Sequence, residues 1–586
     1  MKTIWRVSAY LLHYRGLVIL TFLMALGGNG FFIATPWLIQ KVLDGVVETR
    51  DHRLLIWGVT GVGVCFLLRE VLSTLRIRAN NTLEQKVVMD IRRDVHRKLL
   101  ALPSAFYDQQ KSGEIASRVV EDVTHTERAL LDVTEQGAVA VMQIIGIGVL
   151  LLVQEPVLAW LVMLPLPVLA WLSYNHSKIT RRNWGRVRTA AGELNSFLIE
   201  DIQGNRLIQS FGIQERERRR FLAKATKLKE YTLTAMFRWG WYSSSSNFIA
   251  NLSTLAVVAV GGYLYIHDSA FSAGKLVAFF LYSRMLYEPL NRIISMNHML
   301  STGQASAARV FEILDHPVTI KEAPHPQPFP SGTIAIDYEN VSFAYTGRKP
   351  LIQNINLHLP AGRVTALVGH TGAGKSTLAS LLLRHYDVSS GTVRFNRVDV
   401  REIELKDLRR HIGIVAQDPF LFAGTIEENL RLANEDASDD DLIQALKKAQ
   451  AWEFVKRLPA RVHTYIGERG VRLSMGEKQR LTIARVLLRN PPVVIFDEAT
   501  SSVDTITERQ IQKALDTLAR DRTVLVIAHR LSTVRNADQI IVLESGKIIE
   551  HGTHEQLLHA NGYYTELWHH QGVTPPEDPE EPLATL

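Results

Sequence analysis

The chain has 586 residues, enough for two or three domains, and carries a formal net charge of +7. Its single cysteine, Cys65, excludes an intramolecular disulfide and any Cys-rich metal site. The basic surplus would suit nucleic acid or a membrane surface, and its clustering beside long apolar runs selects the membrane, with no nucleic-acid partner needed.

Six apolar runs fall in the first half: about 17–38, 54–75, 138–153, 157–172, 247–266 and 276–294. A spanning helix needs roughly 20 mostly apolar residues, so the two shorter runs are expected to extend a turn at each end. Buried core helices of a large soluble protein are the competing explanation, and six runs with charge-free centres argue against it. The first run is too long for the h-region of a cleavable signal, and none is expected. Short links join the first, second and third pairs of spans. Stretches of roughly 60 to 75 residues join spans two to three and four to five, and they hold most of the positive charge. With Lys2, Arg6 and Arg15 ahead of span one, this places the N-terminus and both long stretches in the cytoplasm. "NTLEQKVVMDIRRDVHRKLLAL" has apolar residues at helical spacing, and a helix of ~25 residues is about 37 Å long. The hairpin turns near Gly113 and Gln203 should therefore sit far below the bilayer.

The sixth run carries Arg284, Glu288 and Arg292 at i, i+4, i+8, predicting one helical face with charges of both signs. Charges at membrane depth usually face a cavity, and this face is the candidate substrate site. An ordinary i,i+4 ladder in a cytoplasmic extension is the plain alternative. Residues 1–320 are thus read as an all-α, six-span membrane domain with long cytoplasmic helical extensions.

"KEAPHPQPFPSG", residues 321–332, has four prolines in twelve residues and predicts an extended linker. An α/β domain follows over 333–572, with an acidic, Pro-rich tail at 573–586 expected to be disordered. "ALVGHTGAGKST" contains G-x-x-x-x-G-K-[ST] between a predicted strand and a helix, the context that gives the motif meaning. Gly369, His370, Thr371, Gly372, Ala373 and Gly374 form a loop whose N–H groups can face phosphates, continuing through Lys375, Ser376 and Thr377. Lys375 would reach the β/γ oxygens of ATP, and Ser376 would ligate Mg²⁺. "VVIFDE" delivers Asp497 and Glu498 to a strand's carboxyl end, suited to Mg²⁺ holding and to general-base activation of water respectively. Two more apolar strands end near Gln417 and His529; four such ends at one sheet edge outweigh the view that each is a mere solvated terminus. Tyr345 could stack on a purine or pack its strand equally well.

In "LSMGEKQR", Ser474 and Glu477 have capping-box spacing. The same helix start, with Gly476 beside it, is an anion site. A nucleotide already held by the Lys375 loop does not need it, but a facing second copy would.

The Lys375 loop, Gln417, "LSMGEKQR", "VIFDEATSSVD" and His529 resemble, in order and spacing, the nucleotide-binding domain of ABC transporters. With six spans ahead of it the chain resembles an exporter-type half-transporter, a group that includes bacterial multidrug and lipid exporters; the likeness covers residues 1–570. It implies an ATP-driven exporter in a bacterial inner membrane, moving an amphipathic small molecule, drug or lipid as a head-to-tail dimer with two ATP and Mg²⁺. Ser474, Gly476 and Glu477 would then meet the partner's Gly369–Thr377 loop, Tyr345 would stack on adenine and His529 would clamp the γ-phosphate. Gln417 would join the metal site and sense the membrane domain, and Asp504 in "SSVD" would lie at the dimer seam. The turns near Gly113 and Gln203 match coupling helices. Met475 and Glu477 depart from the family pattern Leu-Ser-Gly-Gly-Gln; a homodimer is the simpler expectation, a heterodimer the alternative. An importer of the same architecture and an ATP-gated channel are the rival functions.

Overall fold

The computed structural model describes residues 2–269, 271–497, 505–528, 531 and 534–570. These form two compact units: one of residues 1–101 and 111–316, the other of residues 102–110 and everything from Pro317 onward.

The first unit is helical. Among the described residues five helices are long and apolar enough to cross a membrane: Arg15–Val47, His52–Ala101, Glu135–Gln154, Pro156–Gln203 and Gln214–His267. None of the most apolar stretch of His52–Ala101 is buried within the protein, as suits a surface solvated by lipid. Helix Arg15–Thr49 lies along His52–Ala101, Val123–Gln154 along Tyr287–Asp315, and Pro165–Gln203 along Gln214–His267. Small residues permit the closest approaches: a Cβ on Gly303 would collide with Ala129, and one on Gly274 with Asp44 and the Gln40 carbonyl. The Gly274 N–H instead donates to Asp44 Oδ1 at 2.9 Å.

The sixth apolar segment is not the single rod its composition suggests. Helix Ala273–Met285 stops, and Tyr287–Asp315 restarts after a turn at Leu286. Pro289 has no N–H to return to the Met285 carbonyl, and its ring crowds that oxygen. The two pieces are held by Tyr282, whose hydroxyl donates to the Ile33 carbonyl at 2.8 Å, and Tyr287, which donates to Val162 at 3.0 Å. Leu286 nevertheless keeps right-handed helical backbone angles, and Arg284 and Glu288, one on each side of the break, are both exposed.

A second irregularity is a π turn, Arg118–Asp122, feeding helix Val123–Gln154. Such turns re-aim side chains, and here they aim charges. Arg309 donates to both oxygens of Asp122 at 2.7 and 2.5 Å, and Arg118 bridges Glu114 at 2.8 Å and Glu312 at 3.1 Å. Burial pushes the Asp122 carboxyl up, but the Arg309 guanidinium outweighs it and holds the group below its ordinary range.

The second unit is α/β, with ten strands among the described residues: β1 (Ile336–Phe343), β2 (Ile352–Leu359), β3 (Val364–Val368), β4 (Ser390–Phe395), β5 (Val398–Asp399), β6 (Ile412–Val415), β7 (Val493–Asp497), β8 (Thr523–Ile527), β9 (Gln539–Glu544) and β10 (Lys547–Gly552). An antiparallel sheet has the order β2-β1-β4-β5; a larger sheet has the order β10-β9-β3-β8-β7-β6, parallel except for β10. The parallel strands β3, β7 and β8 are mostly apolar and buried because both faces are covered. One core lies where the antiparallel sheet meets helix Lys375–Leu382; a second surrounds helix Met475–Arg489.

The proline-rich 321–332 segment is extended, as its composition predicts, but it is strapped to this unit rather than loose. Gln327 N–H donates to Glu402 O at 2.7 Å, Glu404 N–H donates back to Gln327 O, and Phe329 N–H reaches Asp407 at 2.6 Å. Phe329 is buried and its ring stacks on His411 at 4.6 Å. One aromatic anchor and three backbone hydrogen bonds outweigh what little chain entropy a proline-restricted segment has to lose.

Candidate functional site

The parallel sheet decides where the motifs meet. β3 lies beside β8, β8 beside β7 and β7 beside β6, all parallel, with Leu367 opposite Ile527, Ile527 opposite Asp497, and Phe496 opposite Val415. The loop that follows β3, the residue that ends β7 and the segment leaving β6 toward Gln417 therefore emerge at one edge. Carboxyl ends of parallel strands are where open α/β sheets bind ligands.

The loop after β3 is built by its glycines. Gly369, Gly372 and Gly374 have φ of 149°, 86° and 106°, a region L side chains rarely adopt. A Cβ on Gly369 would strike the Leu543 carbonyl oxygen, and one on Gly374 would strike Ile352. His370, Thr371 and Gly372 are exposed, while Ala373 and Gly374 are buried against the body of the domain. Lys375 is buried, and its Nζ donates to Gly369 O at 2.7 Å and His370 O at 3.0 Å, arching over the loop. Helix Lys375–Leu382 starts there, so the loop opens toward the positive end of a helix dipole. Ser376 is exposed at its second position; Thr377 faces inward and hydrogen-bonds the Tyr345 hydroxyl at 3.0 Å.

Tyr345 lies just beyond β1, its ring edge-on to Phe343 at 4.9 Å and to Tyr386 at 5.1 Å. This aromatic cluster braces the outer wall of the loop. Asp497 is half-buried at the end of β7, and Gln417 is exposed two residues past β6. Glu498, Asp504 and His529 lie outside the described residues.

Ser474 caps helix Met475–Arg489 in a full capping box. Its Oγ accepts from Glu477 N–H at 3.4 Å, while Glu477 Oε2 accepts from Ser474 N–H and from Ser474 Oγ, each at 2.9 Å. Glu in place of the family's Gln is thus compatible with a formed helix end. Ser474 is exposed, Met475 is 39% exposed and Gly476 is buried. The helix packs on β6 and leads into β7, so its N-terminus points toward the same sheet edge as the Lys375 loop. The two are nevertheless separated by β8 and β7: three strand spacings amount to about 14 Å.

One feature carried no sequence signal. Arg485, mostly buried, donates to Asn429 O at 3.0 Å, Asn429 Oδ1 at 2.9 Å and Phe420 O at 3.2 Å, fixing the segment after Gln417. Burial lowers its guanidinium pKa from the usual arginine value. The short helix Ser104–Gln109 belongs to the α/β unit, where Ser104 Oγ meets His385 Nδ1 at 3.1 Å and the Tyr386 hydroxyl donates to Asp108. It forms the start of the turn near Gly113 singled out from sequence. Burial and neighbouring Arg409 depress the His385 pKa against the pull of Asp108. Burial and Asp108 raise that of Tyr386. In the helical unit, Arg292 pairs with Glu288 at 2.5 Å and lines a cavity, whereas Arg284 and Glu288 are exposed.

Two family models match the chain, the ABC transporter transmembrane region at residues 18–290 and the ABC transporter at residues 352–501. The ABC transporter ATP-binding protein YknV of Bacillus subtilis is 35% identical over 96% of this chain and 93% of its own length. The ATP-dependent lipid A-core flippase of Syntrophus aciditrophicus is 34% identical over 91% of this chain and 88% of its own. A bacterial Atm1-family ABC exporter solved with ATP bound superposes with a TM-score of 0.81 at 26% identity, covering 96% of this chain and 99% of that one. A membrane-spanning helical unit fused to a nucleotide-binding α/β unit, matched over nearly its full length, makes this chain a member of the ABC transporter family: an exporter-type half-transporter that couples ATP hydrolysis to transport.

Proposed function

We propose that two copies of the chain assemble head to tail in a bacterial inner membrane and export an amphipathic small molecule or lipid by alternating access, with the N-terminus and ATPase unit cytoplasmic. One observation carries the dimer. β3, which leads into the Lys375 loop, lies three strand spacings, about 14 Å, from β6, on which the helix capped by Ser474 packs, so the strand order holds the loop and that helix apart within one chain. Ser474 and Gly476 are suited instead to the nucleotide of a facing copy.

In this reading Gly369–Thr377 cradles the phosphates, Tyr345 flanks the adenine, and Asp504 belongs to the seam between copies. The oxygen donors Ser376, Gln417 and Asp497 fit Mg²⁺, which favours a hydroxyl, an amide carbonyl and one carboxylate alongside phosphate oxygens. Bound there, the ion would neutralise charge on the β- and γ-phosphates. Glu498 takes the proton of the attacking water and His529 holds the γ-phosphate. ATP favours the closed pair and hydrolysis releases it, so transport is driven by the difference in nucleotide affinity between closed and open states. The lipid named for the Syntrophus relative supports an amphipathic cargo. Replacing Glu498 with Gln should leave ATP binding intact and cut turnover by roughly 10²–10⁴-fold. Full ATPase activity in that variant would remove Glu498 as the base.

A further inference from the structure

The loop at Gly369–Thr377 touches the last described helix of the chain, Tyr563–His570. That helix begins at Gly562, where a Cβ would collide with the Glu550 carboxylate. Glu550, on β10, caps the helix: its Oε1 accepts from Tyr563 N–H at 2.6 Å and its Oε2 from Tyr564 N–H at 3.0 Å. Tyr564 is fully buried and its hydroxyl hydrogen-bonds His554 Nδ1 at 2.8 Å, with Trp568 buried one turn further on. A carboxylate at the positive end of the helix and an aromatic root behind it fix where the first residue points. Tyr563 sets its ring against the His370 ring in a T-shaped pair, centroids 5.5 Å apart and planes at 78°. Such a pair is directional, because the positive edge of one ring seeks the negative face of the other. The Tyr563 hydroxyl is enclosed and has no hydrogen-bond partner among the described residues, so the ring is what this side chain contributes.

His370 stands at the crest of the loop, and its carbonyl and that of Gly369 are tied down by Lys375 Nζ. The same ammonium is suited to the β- and γ-phosphates of a nucleotide, which would compete for it. The Tyr563 ring has no such second duty. Glycine loses more conformational freedom on ordering than any other residue, and this loop has three at positive φ, so a brace from outside the loop acts on affinity. We propose that Tyr563 is a positioning residue for ATP: its ring fixes His370, so that the backbone N–H groups of the loop stay aimed at phosphate while Lys375 turns to it. The C-terminal helix thereby becomes part of the nucleotide site. The inference deepens the reading above and rests on Gly369–Thr377 being the segment that holds the phosphates.

The test is a double-mutant cycle on purified full-length protein, reading ATP affinity by displacement of trinitrophenyl-ATP, kcat and KM of hydrolysis, and the thermal midpoint. Tyr563→Ala should weaken ATP binding and raise KM by about 3- to 10-fold, within the worth of one ring pair, while kcat stays within about twofold. Tyr563→Leu fills the place without a ring and guards against loss of the helix; it should behave as Ala. Tyr563→Phe keeps the ring and should keep the wild-type affinity. Combined with His370→Ala, the effect of Tyr563→Ala should be non-additive by about 2- to 12-fold, because the contact is already gone. Wild-type ATP affinity in both the Ala and Leu variants, strict additivity, or a lowered midpoint with unchanged KM would overturn the proposal. A Phe variant as weak as Ala would assign the effect to the hydroxyl and overturn the ring contact. Failure of the phosphate-loop reading is seen separately, as unimpaired ATP binding in Lys375→Ala.

Discussion

Ser474 has two candidate roles, and replacing it with Asn and with Ala separates them. As a cap, Ser474 satisfies the Glu477 N–H and is gripped in return by the Glu477 carboxylate. Asn caps a helix about as well as Ser, so the Asn variant should keep stability within a few tenths of a kcal/mol, whereas Ala should cost about 1 kcal/mol. In a unit of this size that is a fall of about 2–4 °C in thermal midpoint. As a donor to the partner's γ-phosphate, the hydroxyl matters differently. Its loss removes a hydrogen bond to charge that develops during phosphoryl transfer, which in comparable sites costs about 10²–10³ in turnover. Asn, larger and differently directed, should lose turnover while keeping the midpoint. The assay is steady-state ATP hydrolysis by purified full-length protein beside a thermal unfolding curve of the same sample. An Asn variant that hydrolyses ATP at the wild-type rate would leave Ser474 a cap and nothing more, and with it would go the argument for a shared nucleotide.

Further outcomes follow from other contacts. Glu477→Gln keeps an acceptor for the Ser474 N–H but removes a negative charge beside an expected phosphate, so ATP affinity measured by nucleotide titration should rise; a fall would contradict that placement. Gly374→Ala forces a side chain to φ of 106° and into Ile352, strain of about 1–3 kcal/mol, and should weaken ATP binding tenfold or more. His385 has a folded-state pKa below its ordinary 6.5, so the folded form binds fewer protons than the unfolded form below that pH. The packing of Leu102–Gln110 on the α/β unit should be intact above about pH 6.5 and weaken as pH falls below it, read by hydrogen exchange across that segment. A His385→Asn variant should flatten the pH dependence. Asp122→Asn removes the charge from the Arg309 pair and should destabilise by about 1.5 kcal/mol, the low end for a charged hydrogen bond because Arg309 can still reach water.

The sequence by itself determined whatever depends on contiguous residues. Glycine spacing fixed the loop at Gly369–Gly374, since its left-handed turns exclude other side chains. Ser474 and Glu477 fixed a helix start, because a capping box closes within four residues. Apolar length announced six spans for the same reason, and five of them are single helices long and apolar enough to cross a membrane among the described residues. Tertiary structure decided the rest. Only the strand order β3-β8-β7-β6 gathers Asp497 and the Gln417 segment beside the loop while keeping Ser474 at a distance, and order in a parallel sheet is set by long-range burial that no local pattern encodes. The break at Leu286 was implicit in Pro289, but hydrophobicity averaged over the run hid it. Arg76, Glu135 and Arg292 stand in three separate helices, and nothing in the chain between them says they share one cavity. Helix packing, which responds to shape and to the cost of leaving a charge in lipid, brought them together.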